Sequence, residues 1–207
     1  MTWTGRLQEA DGLFFDGEMV YWRQSGLPEG EKSQGGGQMA TWSGIRHKLE
    51  QDYLAEALRG RIQYFATTYS GSPDHEGRAA IRLDGEEIVR GNYYNQWLKA
   101  AQLPRDEKYE QRMSQEHPFM DETALEWGLF DQRSFYQAFA EFENQSIEES
   151  LASENLLVRI MALLDRRVGK RRLRAMGASM QTEAPILKFF YTLRLEAEGI
   201  CWNDPTE

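Results

Sequence analysis

Hydrophobic positions recur most regularly between Ser146 and Met176. Leu157, Ile160, Met161, Leu164 and Val168 fall there at spacings of 3, 1, 3 and 4, the pattern of a helix that buries one face. Ser146 followed by Glu149 is a capping box, in which hydroxyl and carboxylate each satisfy a backbone donor at a helix start. Ser153 offers a second cap, so Ile147–Ala152 is either a separate turn or part of one longer helix. Gly169 stands where a left-handed residue closes a helix. Leu173, Met176 and Met180 form a further stripe beyond it, so two helices are expected to meet at Gly169.

The rest of the chain yields shorter patterns. Trp42, Ile45, Leu49 and Tyr53 suit one face of a helix ending before Gly60, with Ser43 as cap. Arg61 to Tyr69 is rich in β-branched and aromatic residues and reads as a strand. Arg78–Leu83 and Glu86–Arg90 flank Asp84-Gly85, a strong short hairpin signal. That turn is expected to set Ile81 opposite Ile88 and Arg82 opposite Glu87. Short helices are expected at Asn92–Ala101 and at Asp121–Trp127, the latter ending at Gly128. Ser134 with Gln137 reads as another capping box, opening a helix with Phe135, Phe139 and Phe142 on one face. Thr182 is expected to cap a last helix that tolerates Pro185 in its first turn. Its buried face is read as Ile186, Phe189, Phe190 and Leu193, and its end as Gly199.

These elements make an α+β protein: a small three-stranded antiparallel sheet with an N-terminal helix, followed by a mainly helical C-terminal half. The expected divisions are an extension (1–38), a sheet region (39–103), a polar linker (104–120), a helical region (121–200) and a tail (201–207). The extension reads in one of two ways. Leu13 to Trp22, with Asp16-Gly17 at its turn, has the pattern of a hairpin. Alternatively, Gln34-Gly35-Gly36 can be encoded as a ribosome-binding site a short distance before a start codon for Met39. Met39 is then the natural start and 1–38 a translated leader.

Composition narrows the classes. A 207-residue chain with 41% hydrophobic residues can bury a substantial core. No apolar run approaches the length of a membrane span and no signal peptide opens the chain, so a cytoplasmic protein without membrane contact is expected. Cys201 is the one cysteine, which fits a reducing compartment. His47, His75 and His117 are the three histidines, and none has metal-ligand spacing, so no metal or cofactor is expected. A net charge of −9 argues against general nucleic-acid binding but not against a local basic patch.

Such a patch exists at Asp165, Arg166, Arg167, Lys170, Arg171, Arg172 and Arg174. An acid in a last helical turn opposes the helix dipole, so Asp165 is expected to be held by Arg159 or Arg172. The cluster reads as a structural ion pair with a solvated rim, as an anion or acidic-partner site, or as both, because guanidinium forks suit phosphate and carboxylate. Secondary candidates lie on the strands. Arg61, Tyr64 and Tyr69 could form a stacking platform for bases. Asp74, His75 and Glu76 lie between Arg61 and Arg78 and form either an acid–base cluster or a solvated turn.

Several blocks resemble an uncharacterised bacterial protein family. They are Ala40-Thr41-Trp42, Leu58 to Ile62 with Tyr64 and Tyr69, Asp74 with Gly77-Arg78, Asp84-Gly85-Glu86, Ser146 to Leu151, Ala162 to Arg171, and Phe189-Tyr191-Arg194. The match covers about 39–200, and its most specific string is Asp165-Arg166-Arg167-Val168-Gly169-Lys170-Arg171. Members begin near the equivalent of Met39, which accords with the start-site reading. Leu151 to Gly169 is also similar to a single helical repeat of the HEAT type, although solenoids need several copies. The resemblance implies no activity, cofactor or substrate. The expectation is a non-enzymatic binding protein whose basic corner meets an acidic protein or phosphate-bearing ligand. The alternatives are an RNA- or nucleotide-associated accessory protein, and an enzyme with a site around Asp165.

Overall fold

Asp84 and Gly85 both take positive φ, 51° and 91°, the two-residue turn whose twist matches that of paired strands. Around it β2 (Gly77–Leu83) pairs antiparallel with β3 (Glu86–Asn92), and β1 (Ile62–Thr68) pairs with the other side of β2. The sheet order is β1-β2-β3, so β3 is an edge. Arg82 faces Glu87 as expected, but Ile81 faces Val89. The register slips between Ile81 and Arg82, leaving Ile88 with no partner residue on β2. Ile62, Tyr64, Ala66, Ala79, Ile81 and Val89 point into the core. On the opposite face Arg78 and Arg82 both lie over the Phe65 ring and both pair with Glu87.

This computed structural model describes residues 41–69, 77–106, 108–110 and 120–201. The readings made at Leu13–Trp22, Gln34–Met39, Asp74–Glu76 and His117, most of the 104–120 linker, and the tail beyond Cys201 lie outside the described residues.

The N-terminal helix is shorter than its periodicity predicts. α1 (Trp42–His47) is capped by Thr41 rather than Ser43, then loosens into a π-helical turn, Lys48–Tyr53. Leu54 is extended because it bridges to Asp165, which stops the helix well before Gly60. Ile45 and Leu49 still bury the expected face.

Beyond the sheet come α2 (Tyr93–Ala100), capped by Asn92, and α3 (Glu122–Trp127), capped by Asp121 and closed by Gly128 at φ 68°. α4 (Gln132–Asn144) starts earlier than expected. Its cap is Asp131, whose carboxylate accepts from the amides of Arg133 and Ser134, so Ser134 lies buried inside the helix. Phe135, Phe139 and Phe142 all face the core. α5 (Ile147–Ala152) carries the predicted Ser146–Glu149 capping box.

α6 (Leu156–Leu164) begins after Asn155, whose side chain takes the capping role assigned to Ser153. Ser153 instead donates to Glu141. Every α6 residue except Arg159 is buried, so this helix is enclosed on all sides rather than along one face. It packs against α4, α5 and α9 (Pro185–Ala197). Between them run α7 (Lys170–Ala175) and α8 (Gly177–Met180).

α9 has no side-chain cap; Thr182 closes the preceding turn instead. Its buried face holds Leu187, Phe190, Tyr191, Leu193, Arg194 and Leu195, whereas Phe189 is 40% exposed. The predicted stripe is therefore rotated, because Arg194 turns inward. Among the described residues no helix is long and apolar enough to cross a membrane.

Candidate functional site

The basic corner is built where the two halves of the fold are tied together. α6 stops at Leu164, and Asp165 is extended at φ −73°, ψ 137°. The helix therefore ends five residues before Gly169, which is itself extended and precedes α7 instead of closing α6. Asp165 bridges antiparallel to Leu54. Alongside that bridge the Ala55 amide donates to the Leu164 carbonyl at 3.0 Å, and the Arg166 amide donates to the Tyr53 carbonyl at 2.8 Å.

Asp165 caps the C-terminus of α6 and so still meets the negative end of its dipole, a conflict that the Arg167 guanidinium offsets. The Asp165 side chain is 0% exposed and holds the turn that follows it. Oδ1 accepts from the Arg167 amide at 2.6 Å; Oδ2 accepts from Arg167 Nε at 2.9 Å, with Nη2 2.8 Å away. The partner is thus Arg167, neither Arg159 nor Arg172. Arg159 pairs with Glu183 and Arg172 with Glu148. The Arg167 guanidinium lies 5.2 Å from the Tyr53 ring centroid and 5.4 Å from that of Phe142, within cation–π range. Its hydrogen bond to Asp165 holds its pKa above the ordinary arginine value. Burial pushes the Tyr53 hydroxyl pKa up.

α9 fixes the corner from beneath. Arg194, 2% exposed, donates from Nη2 to the Val168 carbonyl at 3.1 Å. Its Nη1 lies 3.0 Å from Glu198 Oε1, close enough for charge attraction but misaligned for a hydrogen bond. Burial lowers its pKa, with Glu198 and then Asp165 opposing that shift. The Tyr191 hydroxyl donates to the Leu173 carbonyl at 2.6 Å, and Lys170 Nζ donates to the Glu198 carbonyl at 2.9 Å.

After these commitments the guanidinium groups of Arg166, Arg171 and Arg174 have no ion pair or hydrogen bond among the described residues, and all three residues are exposed. Arg171 and Arg174 are three apart on α7 and so share a side of the helix. The cluster divides in two: Asp165, Arg167, Lys170 and Arg172 are committed within the fold, and the remaining three arginines face outward.

The secondary candidates do not assemble into one site. Arg61 forks onto Asp84, with Nη2–Oδ2 at 2.8 Å. Arg78 pairs with Glu87, and Tyr69 is half-buried. Tyr64 is 3% exposed; burial first, then the Asp165 and Glu50 charges, push its hydroxyl pKa far up. It is a core residue, so a base cannot stack on it from outside. Asp74 lies outside the described residues. Among the described residues no cluster of His, Cys, Asp and Glu could hold a metal ion.

Sequence reasoning missed Leu54, Tyr191 and Arg194 as supports of the corner. Arg194 left a signal: a cation four residues after Phe190, inside an apolar stripe, points to a buried polar role. No curated protein and no solved structure matches the chain. A family model does: that of the SF0329 protein family, over residues 41–195.

Proposed function

Since the chain belongs to the SF0329 protein family across most of its length, we propose that it is a binding protein whose basic elbow engages an anionic partner. The partner class is a carboxylate-rich segment of an acidic protein or a phosphate-bearing ligand. One observation carries this reading. Arg166, Arg171 and Arg174 stand exposed and unpaired among the described residues, on a backbone held in place by Asp165, Tyr191 and Arg194. A guanidinium carried on a fixed backbone loses less on binding than one on a mobile loop, because only its side chain is left to order. The elbow is also basic in a chain of net charge −9, so attraction there is local.

We further read the Asp165–Arg171 string as the family's signature, and the protein as bacterial and cytoplasmic. The RNA-associated alternative loses its stacking platform with Tyr64 in the core. The alternative of an enzyme around Asp165 meets a carboxylate with no exposed surface.

The test is a fluorescence-anisotropy titration of the full chain with labelled polyglutamate, followed by competition with pyrophosphate. Saturable binding that weakens with added salt is expected, and Arg166→Glu/Arg171→Glu/Arg174→Glu is expected to abolish it. Pyrophosphate that competes at far lower concentration than glutamate identifies phosphate as the source of the anion. If pyrophosphate fails to compete, the partner is an acidic chain. Absence of binding to either probe at low salt refutes the proposal.

A further inference from the structure

A cavity of about 950 Å³ lies along the outer edge of β3 and shares no lining residue with the basic elbow. One wall is β3 itself from Glu87 to Asn92; the others come from α2, α3 and the start of α9. We propose that this groove takes a short extended segment of a partner polypeptide, added as a fourth strand beside β3 and carrying a basic side chain toward α3.

The backbone argues for a strand. β3 is an edge, and among the described residues its main chain bonds to no segment other than β2. An edge strand offers a row of outward N–H and C=O groups that another extended chain can satisfy. The groove ends where Gly128 closes on the Arg90 carbonyl; a Cβ added there would sit 2.6 Å from that oxygen. The usable row therefore runs from Glu87 to the Arg90 amide, with the Arg90 carbonyl already covered.

Side chains set the rest of the chemistry. The register slip leaves Ile88 unpaired on β2, and it lines the groove with Trp127, Ile186 and Phe189. These supply an apolar seat. On the α3 wall Glu122 and Glu126 are exposed and have no ion pair among the described residues. They are four apart on one helix and so point the same way. Arg78 is neutralised by Glu87, but Arg90 on β3 and Lys99 on α2 also line the groove, so the match is local: the two α3 carboxylates pair with a lysine or arginine carried toward that wall.

The probe is a blocked peptide of about six residues, the length of an ordinary strand, alternating lysine and valine. It is titrated into the full-length protein and followed by backbone amide shifts. Saturable binding with a Kd below about 1 mM, with the largest shifts at residues 87–90, is expected. Glu122→Gln/Glu126→Gln, both on the surface, is expected to weaken it about fivefold, the scale of two exposed charge pairs. The same peptide N-methylated along its backbone is expected not to bind. Failure of the unmethylated peptide to bind overturns the proposal. So does equal binding by its N-methylated form, or by a peptide with glutamate in place of lysine.

Discussion

Asp165 shows how far one residue can be read from its neighbours in the chain. The sequence marked it as anomalous, an acid among arginines at a helix end, and called for an arginine to hold it. The identity of that arginine depended on where the helix stopped. With α6 read as continuing to Gly169, the expected partner was Arg159 or Arg172. With Asp165 extended, the arginine two positions on comes within reach, and the carboxylate also takes its amide. The pairing of Leu54 with Asp165, more than a hundred positions apart in the chain, was not legible because nothing local encodes it. Replacing Asp165 with Ala strands a backbone donor in a sealed site and should cost about 2–4 kcal/mol in chemical denaturation. Asn keeps an acceptor for the Arg167 amide, and its cost should be smaller, about 1–2 kcal/mol. Equal losses in the two variants would show that the charge, not the turn, is what matters.

At the scale of elements, turn chemistry and capping were the readable parts. Asp84-Gly85, the Asn92 start of α2, Gly128 and the Ser146–Glu149 box all rest on local geometry, and the structure shows them in those roles. Ser146→Ala should cost about 1 kcal/mol in thermal or chemical unfolding. Faces and ends were harder. Apolar residues around all of α6 did signal its enclosure, but the one-face reading passed over them, and the inward turn of Arg194 rotated the buried face of α9 away from Phe189. The bulge in β3 was equally silent, since it needs an unpaired Ile88 that composition does not mark.

The sheet also makes a pH prediction. Burial alone would raise the Glu87 carboxyl pKa, but hydrogen bonds from Arg82 and Arg78 outweigh it and hold the group below its ordinary value of 4.5. A carboxyl depressed in the folded state contributes stability above its unfolded pKa and loses it as pH falls through the folded pKa. Unfolding midpoints measured from neutral pH down past 4.5 should therefore decline, and Glu87→Gln should flatten part of that decline. A Glu87→Gln profile parallel to wild type would contradict the pairing.

For the molecule as a whole, the class was legible: a three-stranded antiparallel sheet behind an N-terminal helix, then helices. The basic elbow was visible too, though its division into supporting and outward arginines was not, because that division depends on Glu148, Glu183 and Glu198 arriving from elsewhere in the chain. The division is the central claim, and thermal unfolding with and without polyglutamate tests it in one measurement. Wild-type protein should gain several degrees at saturating probe, since a ligand that binds only the folded state raises its midpoint. Arg166→Glu/Arg171→Glu/Arg174→Glu should start within about 2 °C of wild type, as surface changes do, and gain nothing from the probe. A variant that melts far earlier, or one that keeps the full gain, would contradict the account.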